Sequence, residues 1–150
     1  MASILLVGIG NDFRRDDGVG LVVARALKAR NLSGTTVVET NEAGVGLLEL
    51  WRGADRVFIV DAVRSGAAPG FLHTIDLDTH VLPVDLTASS SHALGLANTI
   101  ELARALDCLP PALIIYGIEG QAFGLGEGLS PEVARRLPAI IEAIVQQLRS

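Results

Sequence analysis

Apolar positions along the chain follow two alternating periods. Short apolar runs at 4–7, 36–38, 57–60 and 113–115 are each bounded by glycine, polar or charged residues, the mark of short buried strands. Between them Val19, Val22, Val23, Ala26 and Leu27 recur at helical spacing, as do Leu96, Ile100 and Ala103. A last amphipathic stretch carries Val133, Leu137, Ile140, Ile141, Ile144 and Leu148, and a short helix is expected near 46–51. The segment 70–75 follows a loop rich in Gly, Ala and Pro and is expected to pair as an antiparallel edge strand. Strands alternating with helices imply right-handed crossovers and an α/β fold. The expectation is a three-layer sandwich, a mostly parallel five-stranded sheet flanked by helices, in one domain spanning residues 1–150.

Composition supports this reading. The 150 residues are 49% hydrophobic but only 4% aromatic, so the core must be Leu, Ile, Val and Ala, as in parallel strands covered on both faces. Twelve basic and seventeen acidic side chains leave a net charge of -5, with no basic stripe to track a nucleic acid. Cys108 stands alone, which excludes an intrachain disulfide and a cysteine-built zinc site and fits a reducing cytoplasm. No apolar run approaches the roughly 18 residues a membrane span needs, and no signal peptide is read at the start, so no membrane insertion is expected.

In open sheets of this kind, ligands bind outside the carboxyl ends of the strands. Ligand contacts are therefore expected in the loops after Gly8, Thr40, Asp61 and Glu119 and at the helix beginning near His92. Gly8 and Gly10 suggest a tight turn after the first strand, but the third glycine of a dinucleotide fingerprint would fall at Phe13. Asp16 and Asp17 at the next helix start also oppose a bound phosphate. Each could instead serve as a helix cap, worth about 1 kcal/mol. Asp61 closes the third apolar run and is expected at the strand tip, where it would either meet a ligand or bond loop amides. His92 follows three serines and falls in the first turn of a helix, whose dipole favours the neutral, ligating imidazole. His73 and His80 read as ordinary surface residues. Two carboxylates and an imidazole gathered from three loops would bind a borderline divalent ion, with Zn, Ni, Mn and Co all admissible.

The same segments resemble the hydrogenase maturation proteases, the nickel-dependent processing endopeptidases of [NiFe] hydrogenases. The Gly-x-Gly-Asn loop with paired acids and Gly-x-Gly is similar to residues 8–20, and the strand ending in Asp-Ala to residues 59–62. His-x-x-Gly-Leu is similar to residues 92–96, and Gly-Ile-Glu to residues 117–119. The resemblance implies an endopeptidase that removes a C-terminal extension from a hydrogenase large-subunit precursor after nickel insertion. It implies Asp17, Asp61 and His92 as metal-binding and catalytic positions, with Glu119 a weaker candidate for substrate contact or proton transfer. The nickel would be supplied by the substrate, and another divalent ion such as Zn could occupy the site in vitro. Two departures stand out. Residues 40–44 (Thr-Asn-Glu-Ala-Gly) replace the family's Asp-Gly-Gly-Thr stretch, where substrate preference could differ. Gly120 and Gln121 replace its proline, which implies a looser loop.

Lack of an obvious nucleophile also admits a non-catalytic metal-sensing or chaperone module docking on a nickel-loaded subunit. A nucleotide-binding domain would require phosphate affinity that Asp16 and Asp17 oppose.

Overall fold

The structure, a computed structural model, describes residues 3–41, 43–77 and 91–150, the last of these without the side chains of residues 91–94. The elements are β1 (Ile4–Ile9), a 3-10 turn (Arg15–Gly18), α1 (Val19–Ala29), β2 (Thr35–Thr40), α2 (Gly46–Leu50) and β3 (Arg56–Val63). They continue with β4 (Leu72–Asp76), α3 (Ser91–Ala105), β5 (Ala112–Glu119) and α4 (Pro131–Arg149). The strands form one five-stranded sheet in the order β2-β1-β3-β5-β4, parallel except for the β4–β5 pair. The mostly parallel α/β architecture with an antiparallel edge strand is the one the apolar pattern predicts.

Strand alternation divides the core. Leu5, Val7, Val57, Ile59, Leu113 and Ile115 face α2 and α3, packing with Leu47, Leu96 and Ile100. Leu6, Phe58, Val60, Tyr116 and Ile118 face α1 and α4, packing with Val23, Leu27, Val133 and Ile144. The register aligns Leu5 with Val57 and Val57 with Leu113, so each apolar layer is continuous across the three central strands.

Gly8 lies within β1, which runs on to Ile9, and does not open a turn. Its role is close packing. A Cβ on Gly20, in the first turn of α1, would lie 2.3 Å from the Ile9 carbonyl oxygen and 2.4 Å from that of Val60. One on Gly8 would lie 2.3 Å from the Gly20 carbonyl oxygen. Two facing glycines thus let the start of α1 rest directly on the backbone of β1 and β3, which sets where the preceding loop must end. Among the described residues no helix is long and apolar enough to cross a membrane.

Candidate active site

β1 sends its chain over one face through α1 to β2, whereas β3 lies on the opposite side of β1 in the sheet. The crevice at the carboxyl ends of β1 and β3 is therefore the topological switch point, the preferred ligand position in such sheets. Pairing of β1 with β3 ends at Gly8 and Val60, and Asp61 is the next residue. Asp61 is not the strand tip, because β3 continues to Val63 against β5. It stands where β1 peels away, and only 2% of its surface is exposed. Its Oδ1 accepts the Ala62 amide at 2.8 Å. Its parity along the strand puts it on the face of Val57, Ile59 and Val63, the side covered by α3.

The loop after β1 is built in steps. The Gly10 amide donates to the Thr40 carbonyl at 3.1 Å, tying the loop to the end of β2. Asn11 Oδ1 accepts the Phe13 amide at 2.9 Å, an Asx turn, and Arg15 adopts φ +52. The 3-10 turn follows, packed against β3, and carries Asp17, which is 8% exposed.

Asp16, the neighbour of Asp17, is wholly buried and does not serve α1, whose N-cap is Gly18. Its Oδ2 accepts the Gln121 and Ala122 amides at 2.8 and 2.9 Å and the Ser130 hydroxyl at 2.6 Å. Its Oδ1 accepts the Ser130 amide at 2.7 Å. Burial pushes this carboxyl up, but the Ser130 hydroxyl and the three amides outweigh it and hold the group below the usual aspartate range. Asp16 thereby anchors both ends of the 120–130 loop. The looser loop expected from Gly120 and Gln121 is instead tethered, and Gly120 is needed for space: a Cβ there would lie 2.4 Å from the Phe123 ring and 3.0 Å from the Asp16 Cβ.

Glu119 organises the other side of the edge. Its carboxylate accepts the Ser65 hydroxyl at 2.6 Å and the Ser65 and Gly66 amides at 2.8 and 3.3 Å. His73 Nε2 lies 3.1 Å from its Oε1. His73 is thus half-buried on β4 and paired with an acid, not the ordinary surface residue the sequence suggests. The cluster contains Ser, His and Glu but is not a nucleophile–base–acid relay: one ring nitrogen faces both the acid and, at 3.4 Å, the serine hydroxyl, whose proton goes to Glu119.

Burial pushes Glu119 up, yet the bonds from Ser65, His73 and Gly66 hold it below the ordinary value of 4.5. A carboxylate lowered by folding stabilises the protein above the ordinary value, and that contribution is lost as the pH falls through the folded one. Glu119→Gln should therefore cost about 2 kcal/mol near neutrality. In thermal unfolding followed from about pH 7 to pH 3, the gap between variant and wild type should close at the acid end. A gap that persists unchanged at low pH would contradict this.

The backbone of His92 lies in the first turn of α3, on the sheet face of Asp61. The His92 side chain and the whole of His80 lie outside the described residues. Among the described residues no three His, Cys, Asp or Glu side chains form a group that could hold a metal ion. Of the altered stretch 40–44, Ala43 is buried against Gly95 of α3, and its carbonyl accepts the Thr99 hydroxyl at 2.8 Å, so Ala43 is packed onto the helix that begins near His92.

The profile of the HycI hydrogenase maturation proteases matches residues 21–147. The match includes Asp61, His92 and Glu119 and begins four residues after Asp17. The hydrogenase 2 maturation protease of Escherichia coli K12 is 28% identical over 149 residues, covering 97% of this chain and 90% of that protein. The hydrogenase expression/formation protein HupD of Thiocapsa roseopersicina is 27% identical, covering 97% and 67%. In structure, the chain is similar to the hydrogenase maturating endopeptidase HybD from E. coli, with a TM-score of 0.80 and 25% identity over 98% of this chain and 92% of that one. It is also similar to the [NiFe] hydrogenase maturation protease HycI from Thermococcus kodakarensis KOD1, at TM-score 0.73 and 26% identity over 99% and 94%.

Proposed function

The chain belongs to the hydrogenase maturation protease family, and from that premise we propose that it removes the C-terminal extension of a [NiFe] hydrogenase large-subunit precursor once nickel is in place. As a peptidase it catalyses hydrolysis: water adds to the scissile carbonyl, the C–N bond breaks, and the precursor keeps a new carboxylate while the extension leaves with a new amine. We assign Asp17, Asp61 and His92 to contact the nickel that the precursor carries. The observation that supports this most is the position of Asp61 at the switch point, with the start of α3 on its own face of the sheet.

The donor set suits the ion. Two carboxylates and an imidazole are acceptable to nickel, and would also take zinc in vitro. Asp16 and Glu119 are left out of the assignment because their oxygens already hold loops. No role in proton transfer is given to Glu119 for the same reason. When bound, the metal supplies positive charge beside the precursor's cleavage region, and the protein's acids recognise whether it has arrived. The reading also carries a cytoplasmic location for the protein.

Mass spectrometry of a nickel-loaded precursor before and after mixing with the protein tests this. A shorter precursor and a released peptide are expected from the loaded form and an intact chain from the nickel-free form. An intact loaded precursor held in a stable complex would favour a docking module and overturn the proposal.

A further inference from the structure

The loops after β1 and β5 hold two large apolar residues mostly exposed to water, Phe13 at 65% and Leu125 at 79%. Their backbones are tied together. The Gly126 amide donates to the Phe13 carbonyl at 2.9 Å, and the Arg15 amide donates to the Gly126 carbonyl at 3.1 Å, so the two loops form a small parallel bridge. Both loops are anchored beneath it, one by the Asn11 turn and the other by Asp16. Their exposure is therefore built in, and an apolar pair held out on a braced rim marks a contact surface.

The charge on this rim runs against that of the molecule. Arg14, next to Phe13, is exposed, as is Arg64 at the end of β3, whose guanidinium lies 4.4 Å over the Phe123 ring. Among the described residues neither forms an ion pair. Of the three acids in the first loop, Asp16 and Asp17 are buried and Asp12 is engaged by Arg25 at 2.7 Å, and Glu127 is the one acid in 120–130. A protein of net charge -5 thus presents a cationic, apolar rim beside its candidate active site.

We propose that Phe13 and Leu125, flanked by Arg14 and Arg64, dock an apolar segment of the large-subunit precursor that carries neighbouring carboxylates, next to the bond that is cut. The inference rests on the endopeptidase reading above. Charge complementarity selects the occupant: an acidic segment is repelled by most of this surface and attracted here, which orients the precursor before its nickel reaches Asp61. Aromatic and arginine side chains are also the types that anchor protein interfaces.

The test uses the full-length protein and the nickel-loaded precursor from the same organism, with binding and cleavage measured at low and high salt. Phe13→Ser combined with Leu125→Ser should raise KM and Kd by about tenfold with little change in kcat. Arg14→Glu combined with Arg64→Glu should weaken binding as much and remove most of its salt dependence. Leu106→Ser, at an exposed leucine in the loop between α3 and β5, at the amino ends of the strands, should leave both unchanged. Circular dichroism checks that each variant is folded. If wild type cleaves and the two double variants bind as tightly as it does, the docking surface is refuted while the endopeptidase reading stands. If wild type neither binds nor cuts the loaded precursor, both fall.

Discussion

Asp16→Ala is expected to destabilise the protein by about 3 kcal/mol, which for a chain of this size lowers the melting temperature by about 6–12 °C. The carboxylate is fully buried and accepts four hydrogen bonds from three residues. Alanine removes the acceptor and leaves the Ser130 amide, in a buried residue, and those of Gln121 and Ala122 without it. Unsatisfied buried donors cost more than the bond itself contributed. Asp16→Asn separates charge from shape. Its single carbonyl oxygen can keep the bonds made to Oδ2, but its NH2 then faces the Ser130 amide, donor against donor. The asparagine should therefore lose less than the alanine and more than a surface substitution. Thermal unfolding of the three proteins decides it, and an alanine variant within about 0.5 kcal/mol of wild type would show that the clamp contributes nothing, since that is the range of ordinary surface changes. Hydrogen exchange should localise the loss to residues 120–130 and to the 3-10 turn.

That clamp also marks the limit of what the sequence discloses. The central strands were legible because each is a short apolar run buried on both faces, and α4 because Val133, Leu137, Ile140 and Ile144 repeat at helical spacing. Strand extents were not: β3 passes through a buried acid, Asp61, before ending at Val63, and a charged residue in an apolar run reads as a terminus. Asp61 could be placed at the ligand edge from topology alone. Asp16 could not be told from a helix cap, because its partners lie 105 to 114 residues away. The environment of His73 is hidden from the sequence for a related reason. Its exposure depends on Glu119, brought alongside by the antiparallel β4–β5 pairing, and no local pattern encodes that. Two acids that look alike in sequence, Asp16 and Asp17, thus have separate parts: one holds loops, and the other is offered to the metal under the proposal above.

Asp61→Asn should reduce cleavage of the nickel-loaded precursor by about a hundredfold or more, while the protein stays folded. The size follows from what is removed. Loss of a group that merely supports a metal ligand already costs roughly 10- to 100-fold in affinity or activity, and under the proposed assignment Asp61 is itself a ligand. Asparagine keeps the volume and one oxygen, and its carbonyl can still accept the Ala62 amide that Oδ1 now accepts. What it lacks is negative charge at the switch point. Two measurements separate a metal contact from a structural acid. Wild type should bind the loaded precursor more tightly than the nickel-free one, and Asp61→Asn should bind both alike, because the preference is the energy of the contact. Glu119→Gln, by contrast, should lower the melting temperature and still prefer the loaded form, since its oxygens hold the 64–70 loop. An Asp61→Asn protein that retains both its cleavage rate and its preference for the loaded precursor would remove Asp61 from the metal site, whatever the topology suggests.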